Sequence, residues 1–200
     1  MTGAQIDLPT PGDFGLVLGV AHASDLPGFR PHPAEAGLAR AMSASRRRDF
    51  LLGRLAARRA LGAHDGPVLI ERSRPLFPPP FEGSISHAGG VGVALIAQGG
   101  RRVGVDLELR RISPRAARGV CTDAELAWAD GSAERATQLF CAKEAAYKVL
   151  SSGAQERLRW CDVTIEPREG SGFTAIVRGS AIDGWWRTGP AVLAWALSCG

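Results

Sequence analysis

The chain has 200 residues and a formal charge of +4, from 24 Lys and Arg against 20 Asp and Glu, with 45% apolar and 22% charged composition. That length can bury a core without disulfide staples, that balance is far from a polycation, and no apolar run long enough to cross a membrane is present. The cations divide unevenly into 22 Arg and 2 Lys, and both lysines, Lys143 and Lys148, fall within FCAKEAAYKV.

The opening MTGAQIDLPTPGD lacks the charged-then-apolar order of a secretory signal. FGLVLGV, Phe14 to Val20, reads as a buried strand, followed by a Pro-rich loop through Pro27, Pro31 and Pro33. Ser43 or Ser45 can cap a helix running to about Leu61, with Phe50, Leu51, Leu55 and Ala56 at helical spacing and Gly62 as its stop. Val68–Glu71 reads as a short strand and Pro75–Pro80 as a loop. Strands are expected over Gly83–His87, Val91–Gln98 and Val103–Glu108, with a tight turn at Gly99-Gly100 between the last two.

Further on, Thr122 and Glu125 make a capping box for a short helix. Ser132–Leu150 is the clearest helix, ended by Ser152-Gly153. Asp162–Glu166, Phe173–Arg178 and Ala191–Leu197 read as strands. Each half thus has a long helix and about three strands, an α+β or α/β class, without a close sequence repeat. Cys121, Cys141, Cys161 and Cys199 form no CxxC, and His22, His32, His64 and His87 lie at no ligand spacing from them. Reduced thiols in a cytoplasmic protein without structural zinc are the expectation.

GVDLE places Asp106 and Glu108 at i and i+2 of a strand, on one face. Two adjacent carboxylates repel unless a cation lies between them, and an all-oxygen site suits Mg²⁺; a solvated strand end is the plainer alternative. Glu144 and Lys148 stand at i and i+4 on one helical face, where a surface ion pair is the plainer alternative. The surrounding stretch is apolar, so both need buried partners. Between Arg30 and Arg74 the chain has ten arginines and four acids. Arg46 and Arg54 lie just over two helical turns apart, and such forks suit phosphate. A nucleic-acid patch is the competing reading, weakened by the scarcity of aromatics. In SISHAGG, Ser86 and His87 point to opposite strand faces, so His87 is no base for Ser86, and an anion site fits better than a hydrolase; a structural, hydrogen-bonded His is the plainer alternative.

Taken together, SISHAGG, GVDLE and FCAKEAAYK, in that order and spacing, resemble the 4′-phosphopantetheinyl transferase superfamily of the long, monomeric, Sfp-like kind. The resemblance runs from about Arg40 to Leu150. It implies two similar α/β halves, 1–100 and 101–200, with the active site between them. It implies Mg-dependent transfer of phosphopantetheine from coenzyme A to a serine of an acidic apo carrier protein (acyl, peptidyl or aryl), with adenosine 3′,5′-bisphosphate released. Polyketide or nonribosomal peptide synthesis is the setting, with neither nucleic acid nor membrane as partner. Residue by residue, it makes Asp106, Glu108 and Glu144 the Mg²⁺ ligands, Glu144 also the base for the serine, and Lys148 the pyrophosphate partner and proton donor. Ser86, His87, Arg46, Arg54 and Lys143 would hold coenzyme A. Arg72 or Arg74 would take the place of a basic residue before proline. The remaining alternatives are a Mg-dependent phosphohydrolase using the same carboxylates and a basic nucleic-acid-binding module.

Overall fold

The computed structural model describes residues 15–72, 74–150 and 158–198. Phe14, Ser152-Gly153 and Cys199, all singled out above, lie outside the described residues. The chain divides into two compact units, Met1–Gly100 and Arg101–Gly200.

In the first unit, β1 (Leu16–His22), β4 (Phe81–Ala88) and β5 (Val91–Gln98) form an antiparallel sheet of order β1-β5-β4. Helix α2 (Ala44–Leu61) lies on it. The Ser43 Oγ accepts from the Arg46 N–H, and Gly62 ends the helix at φ 63°, a conformation that suits glycine. Leu52, Ala56 and Ala57 of α2 bury completely beside Ala21, Ala94 and Ile96. The helix comes this close because strand glycines lie beneath it: a Cβ on Gly19 would stand 2.0 Å from the Ala56 carbonyl oxygen.

Two expectations change here. The Pro-rich stretch contains a helix, α1 (Pro33–Arg40), because Pro33 occupies its first turn, where proline is tolerated. Arg74–Leu76 forms a short strand, β3, paired with β2 (Leu69–Glu71) despite Pro75. In a two-stranded ribbon both strands are edges, where proline is tolerated. Gly99 and Gly100 do turn the chain, at φ 78° and 76°, but the strands they join enter different sheets.

In the second unit, β6 (Val103–Glu108) is followed by α3 (Pro114–Val120), α4 (Asp123–Ala129), α5 (Ala133–Val149) and then β7 (Val163–Pro167), β8 (Gly172–Val177), β9 (Ser180–Arg187) and β10 (Val192–Leu197). The sheet order is β6-β10-β9-β8-β7, antiparallel throughout. Leu139, Ala142, Ala145 and Ala146 of α5 pack on Val163, Phe173, Ala175, Ala194 and Ala196. Helix α3 and strand β9 are additions to the expected elements. α3 has only seven residues, with Pro114 at its start. β9 follows a two-residue turn, Arg178-Gly179, both at positive φ, so β8 ends at Val177 rather than Arg178. Its alternation is broken by Gly184, which has to be small because a Cβ would stand 2.1 Å from the Phe173 ring.

The units share a plan. In each, the first strand pairs antiparallel with the last, and the long helix crosses a glycine of the first strand. Gly104 under Ala145 repeats Gly19 under Ala56, with a Cβ on Gly104 only 1.9 Å from the Ala145 oxygen.

Candidate active site

The first unit holds a cavity of about 410 Å³ lined among others by Arg46, Asp49, Phe50, Arg54, Arg74 and His87. Helix α2 supplies four of these six residues, β3 supplies Arg74 and β4 supplies His87. Arg54 is only 5% exposed. Its guanidinium lies 4.1 Å from the centre of the Phe50 ring, and Nη2 donates to the Leu69 carbonyl at 3.0 Å. Its Nε has no hydrogen-bond partner. Burial lowers its pKa to about 10, and the Glu35 charge opposes that shift. A buried guanidinium with unused donors beside a cavity calls for an anion. His87 Nδ1 stands 3.9 Å from Asp49 Oδ2.

Three further arginines of α2 are engaged elsewhere. Arg47 donates to the Ala39, Arg40 and Met42 carbonyls at the end of α1. Arg58 donates to the His64 carbonyl, and Arg59 bridges Asp25 and the Val20 carbonyl. Of the two arginines before and after residue 73, Arg74 lines the cavity, whereas Arg72 is exposed in the β2–β3 turn at φ 46°. Ser86 is buried and is not among the lining residues, so the structure separates it from its neighbour His87, as strand alternation requires.

The second unit gathers Asp106, Glu108, Glu144 and Lys148. β6 sets the first two on one face, and α5 sets the others one turn apart. Asp106 is 5% exposed; its Oδ1 accepts from Lys148 Nζ at 2.7 Å, while the same ammonium donates to the Val105 carbonyl at 2.9 Å. Burial, then Asp106, pushes the Glu108 carboxyl above its ordinary range. Glu144 is pushed up to about 7, chiefly by burial, then by Asp106, with Lys148 opposing and Glu108 adding.

Asp106 thus presses on the two carboxyls beside it, with Lys148 opposing. Among the described residues no three His, Cys, Asp or Glu side chains stand in a ready-made coordination cluster. The donor chemistry nevertheless fits a hard cation: all-oxygen, acidic and short of positive charge.

Lys143 departs from its expected place. It is fully buried, donating to Glu125 at 2.9 Å, to the Trp160 carbonyl at 3.2 Å and to the Val163 carbonyl. All three ammonium protons are engaged in the core of the second unit, so this lysine does not present itself to coenzyme A. The adjacent apolar residues foreshadowed its burial; its partner Glu125, 18 positions upstream, was legible only as a helix cap. Asp49 and Glu35 escaped sequence reading because His87, across from Asp49, and the Val68 N–H, held by Glu35, lie far along the chain.

Residues 102–197 match the family model of the 4′-phosphopantetheinyl transferase superfamily, and residues 34–97 that of the 4′-phosphopantetheinyl transferase N-terminal domain. The chain is 33% identical over 189 residues to the 4′-phosphopantetheinyl transferase PptT of Mycobacterium tuberculosis, covering 84% of this chain and 79% of that protein. It is 36% identical over 130 residues to the 4′-phosphopantetheinyl transferase Npt of Nocardia iowensis, covering 60% of this chain and 59% of that one.

Proposed function

The chain belongs to the 4′-phosphopantetheinyl transferase superfamily, and from that membership we propose that it loads phosphopantetheine from coenzyme A onto a serine of an acidic apo carrier protein. The observation that carries the reading is the second unit's carboxylate group, which is short of positive charge and holds the Lys148 ammonium on Asp106.

In the first unit, Arg46, Arg54, Arg74 and His87 hold the phosphates at the nucleotide end of coenzyme A. Arginine forks match phosphate oxygens two at a time. In the second, Asp106, Glu108 and Glu144 would hold Mg²⁺, which when bound supplies Lewis-acid stabilisation of the pyrophosphate. Glu144, with a pKa of about 7, accepts the proton of the attacking serine. The serine oxygen bonds to the phosphorus bearing pantetheine as the pyrophosphate P–O bond breaks, and adenosine 3′,5′-bisphosphate departs. Lys148 neutralises that leaving phosphate and can protonate it. Positioning and charge stabilisation carry most of such a transfer.

A monomeric enzyme of the cytoplasm serving polyketide or nonribosomal peptide synthesis completes the proposal. No helix among the described residues is long and apolar enough to cross a membrane. The test is incubation with coenzyme A, Mg²⁺ and a panel of apo carriers. A carrier that gains the phosphopantetheine mass supports the reading. Phosphate release without any carrier would replace it with a phosphohydrolase, and salt-sensitive nucleic-acid binding without coenzyme A affinity would replace it with a binding module.

A further inference from the structure

Each unit buries a glutamate that caps a short helix. In the first, Glu35 of α1 is 2% exposed; its Oε2 accepts from the His32 N–H at 3.0 Å and its Oε1 from the Val68 N–H at 2.8 Å, beside β2. Its charge acts on Arg54 of α2. In the second, Glu125 of α4 is 2% exposed; its Oε1 accepts from the Ile165 N–H of β7 at 2.7 Å. Its Oε2 accepts from the Thr122 N–H at 2.6 Å and from Lys143 Nζ at 2.9 Å. Each glutamate caps its own short helix and holds a strand or its approach: Glu125 meets Lys143 of the long helix directly, whereas Glu35 reaches Arg54 through the chain, holding the Val68 N–H next to the Leu69 carbonyl that accepts from Arg54.

The two units differ at the cation. Lys143 is closed, with acceptors for all three protons. Arg54 is open: it donates to Leu69, keeps Nε without a partner and lines the cavity. Stability alone does not explain the Glu125–Lys143 pair, since well-packed apolar residues commonly serve as well as a buried ion pair.

We propose that Glu35 and Glu125 are positioning residues with different outputs. Glu35 aims Arg54 at the anion bound in the first unit's cavity. Glu125, through Lys143, fixes the helical turn that carries Glu144 and Lys148. The proposal rests on the transferase reading for its kinetic readout.

The test compares Glu35→Gln and Glu125→Gln with wild type in carrier loading, each with its melting temperature. Glu35→Gln is expected to raise KM for coenzyme A about tenfold or more while kcat holds, the size of a weakened hydrogen bond to a charged group. Glu125→Gln is expected to lower kcat by a similar factor while KM holds. Calorimetric titration with adenosine 3′,5′-bisphosphate reads the Glu35 effect without turnover, as a comparable rise in Kd. If a Gln variant fails to fold, Arg54→Lys and the apolar pair Glu125→Leu with Lys143→Met replace it. The first is expected to raise KM alone, and the second to keep the melting temperature and still lose kcat. A silent wild type that binds the bisphosphate sinks the transferase reading and leaves the Glu35 measurement standing. Equal losses of KM and kcat in both variants, tracking melting temperature, overturn the proposal, as does full kcat in the apolar pair.

Discussion

Lys148 answers two acceptors at once, a carboxylate and a main-chain carbonyl, within a group that otherwise carries only negative charge. An arginine there keeps the charge but offers a broad planar fork on a longer stem, and it does not release a proton. Lys148→Arg is therefore expected to cut the carrier-loading rate about tenfold or more, a barrier change of at least about 1.4 kcal/mol; steady-state kinetics with saturating coenzyme A measures it. Glu144 makes a second prediction. Its carboxyl is raised from its ordinary 4.5 to about 7. Below the lower value both folded and unfolded chains hold the proton. Between the two values the unfolded chain has released it and the folded chain has not, so stability falls as pH rises through that window and levels off above it. Glu108, raised for related reasons, acts with the same sign. Urea midpoints in chelator at pH values across the window should show this slope, and Glu144→Gln should flatten it. Mg²⁺ should flatten it too, by offsetting the repulsion.

Among the elements, Gly104 is the tightest contact between a strand and a helix. Gly104→Ala places a methyl group against the main chain of α5 at 1.9 Å, and a backbone atom cannot swing aside as a side chain can. The variant is expected to lose about 1–3 kcal/mol, the usual range for overpacking, by denaturant unfolding. It should also lose loading activity, because the helix it pushes carries Glu144 and Lys148. The long elements were legible because their signals are local. Ser43, one of the two residues expected, caps α2; Thr122 with Glu125 caps α4, as the sequence indicates; and α5 lies within the expected Ser132–Leu150, with Ser132 as its cap. α1 and α3 were not, because Pro33 and Pro114 look the same in a loop as in a first helical turn. Strand partnership was hidden for another reason: β6 pairs with β10, and nothing within a short window records that choice. The candidate carboxylates were legible by residue type and spacing, whereas the burial of Lys143 needed its distant partners.

At the scale of the molecule, two units share one plan while only one carries the acidic group. Aligning Gly19 with Gly104 and Ala56 with Ala145 puts Ala21 where the second unit has Asp106, and Leu55 where it has Glu144. Arg59 to the Val20 carbonyl then repeats Lys148 to the Val105 carbonyl. The first unit thus retains the scaffold, with arginine where the second has its proton-bearing lysine. The whole chain is basic, with a pI near 9.2. Loading of an acidic carrier is therefore expected to slow as salt rises, through kcat/KM rather than kcat, since screening acts on encounter; a salt series at fixed Mg²⁺ measures it.

The pairing of β6 with β10 also sets an order of events during synthesis. Among the described strands of the second unit's sheet, the one bearing Asp106 and Glu108 has β10 as its only neighbour, and β10 is the latest of them in the chain. Until Val192–Leu197 has emerged from the ribosome, those two carboxylates ride on a strand without its sheet partner, and a chain stalled before that point can own every acidic residue of the site yet lack the pairing that holds two of them.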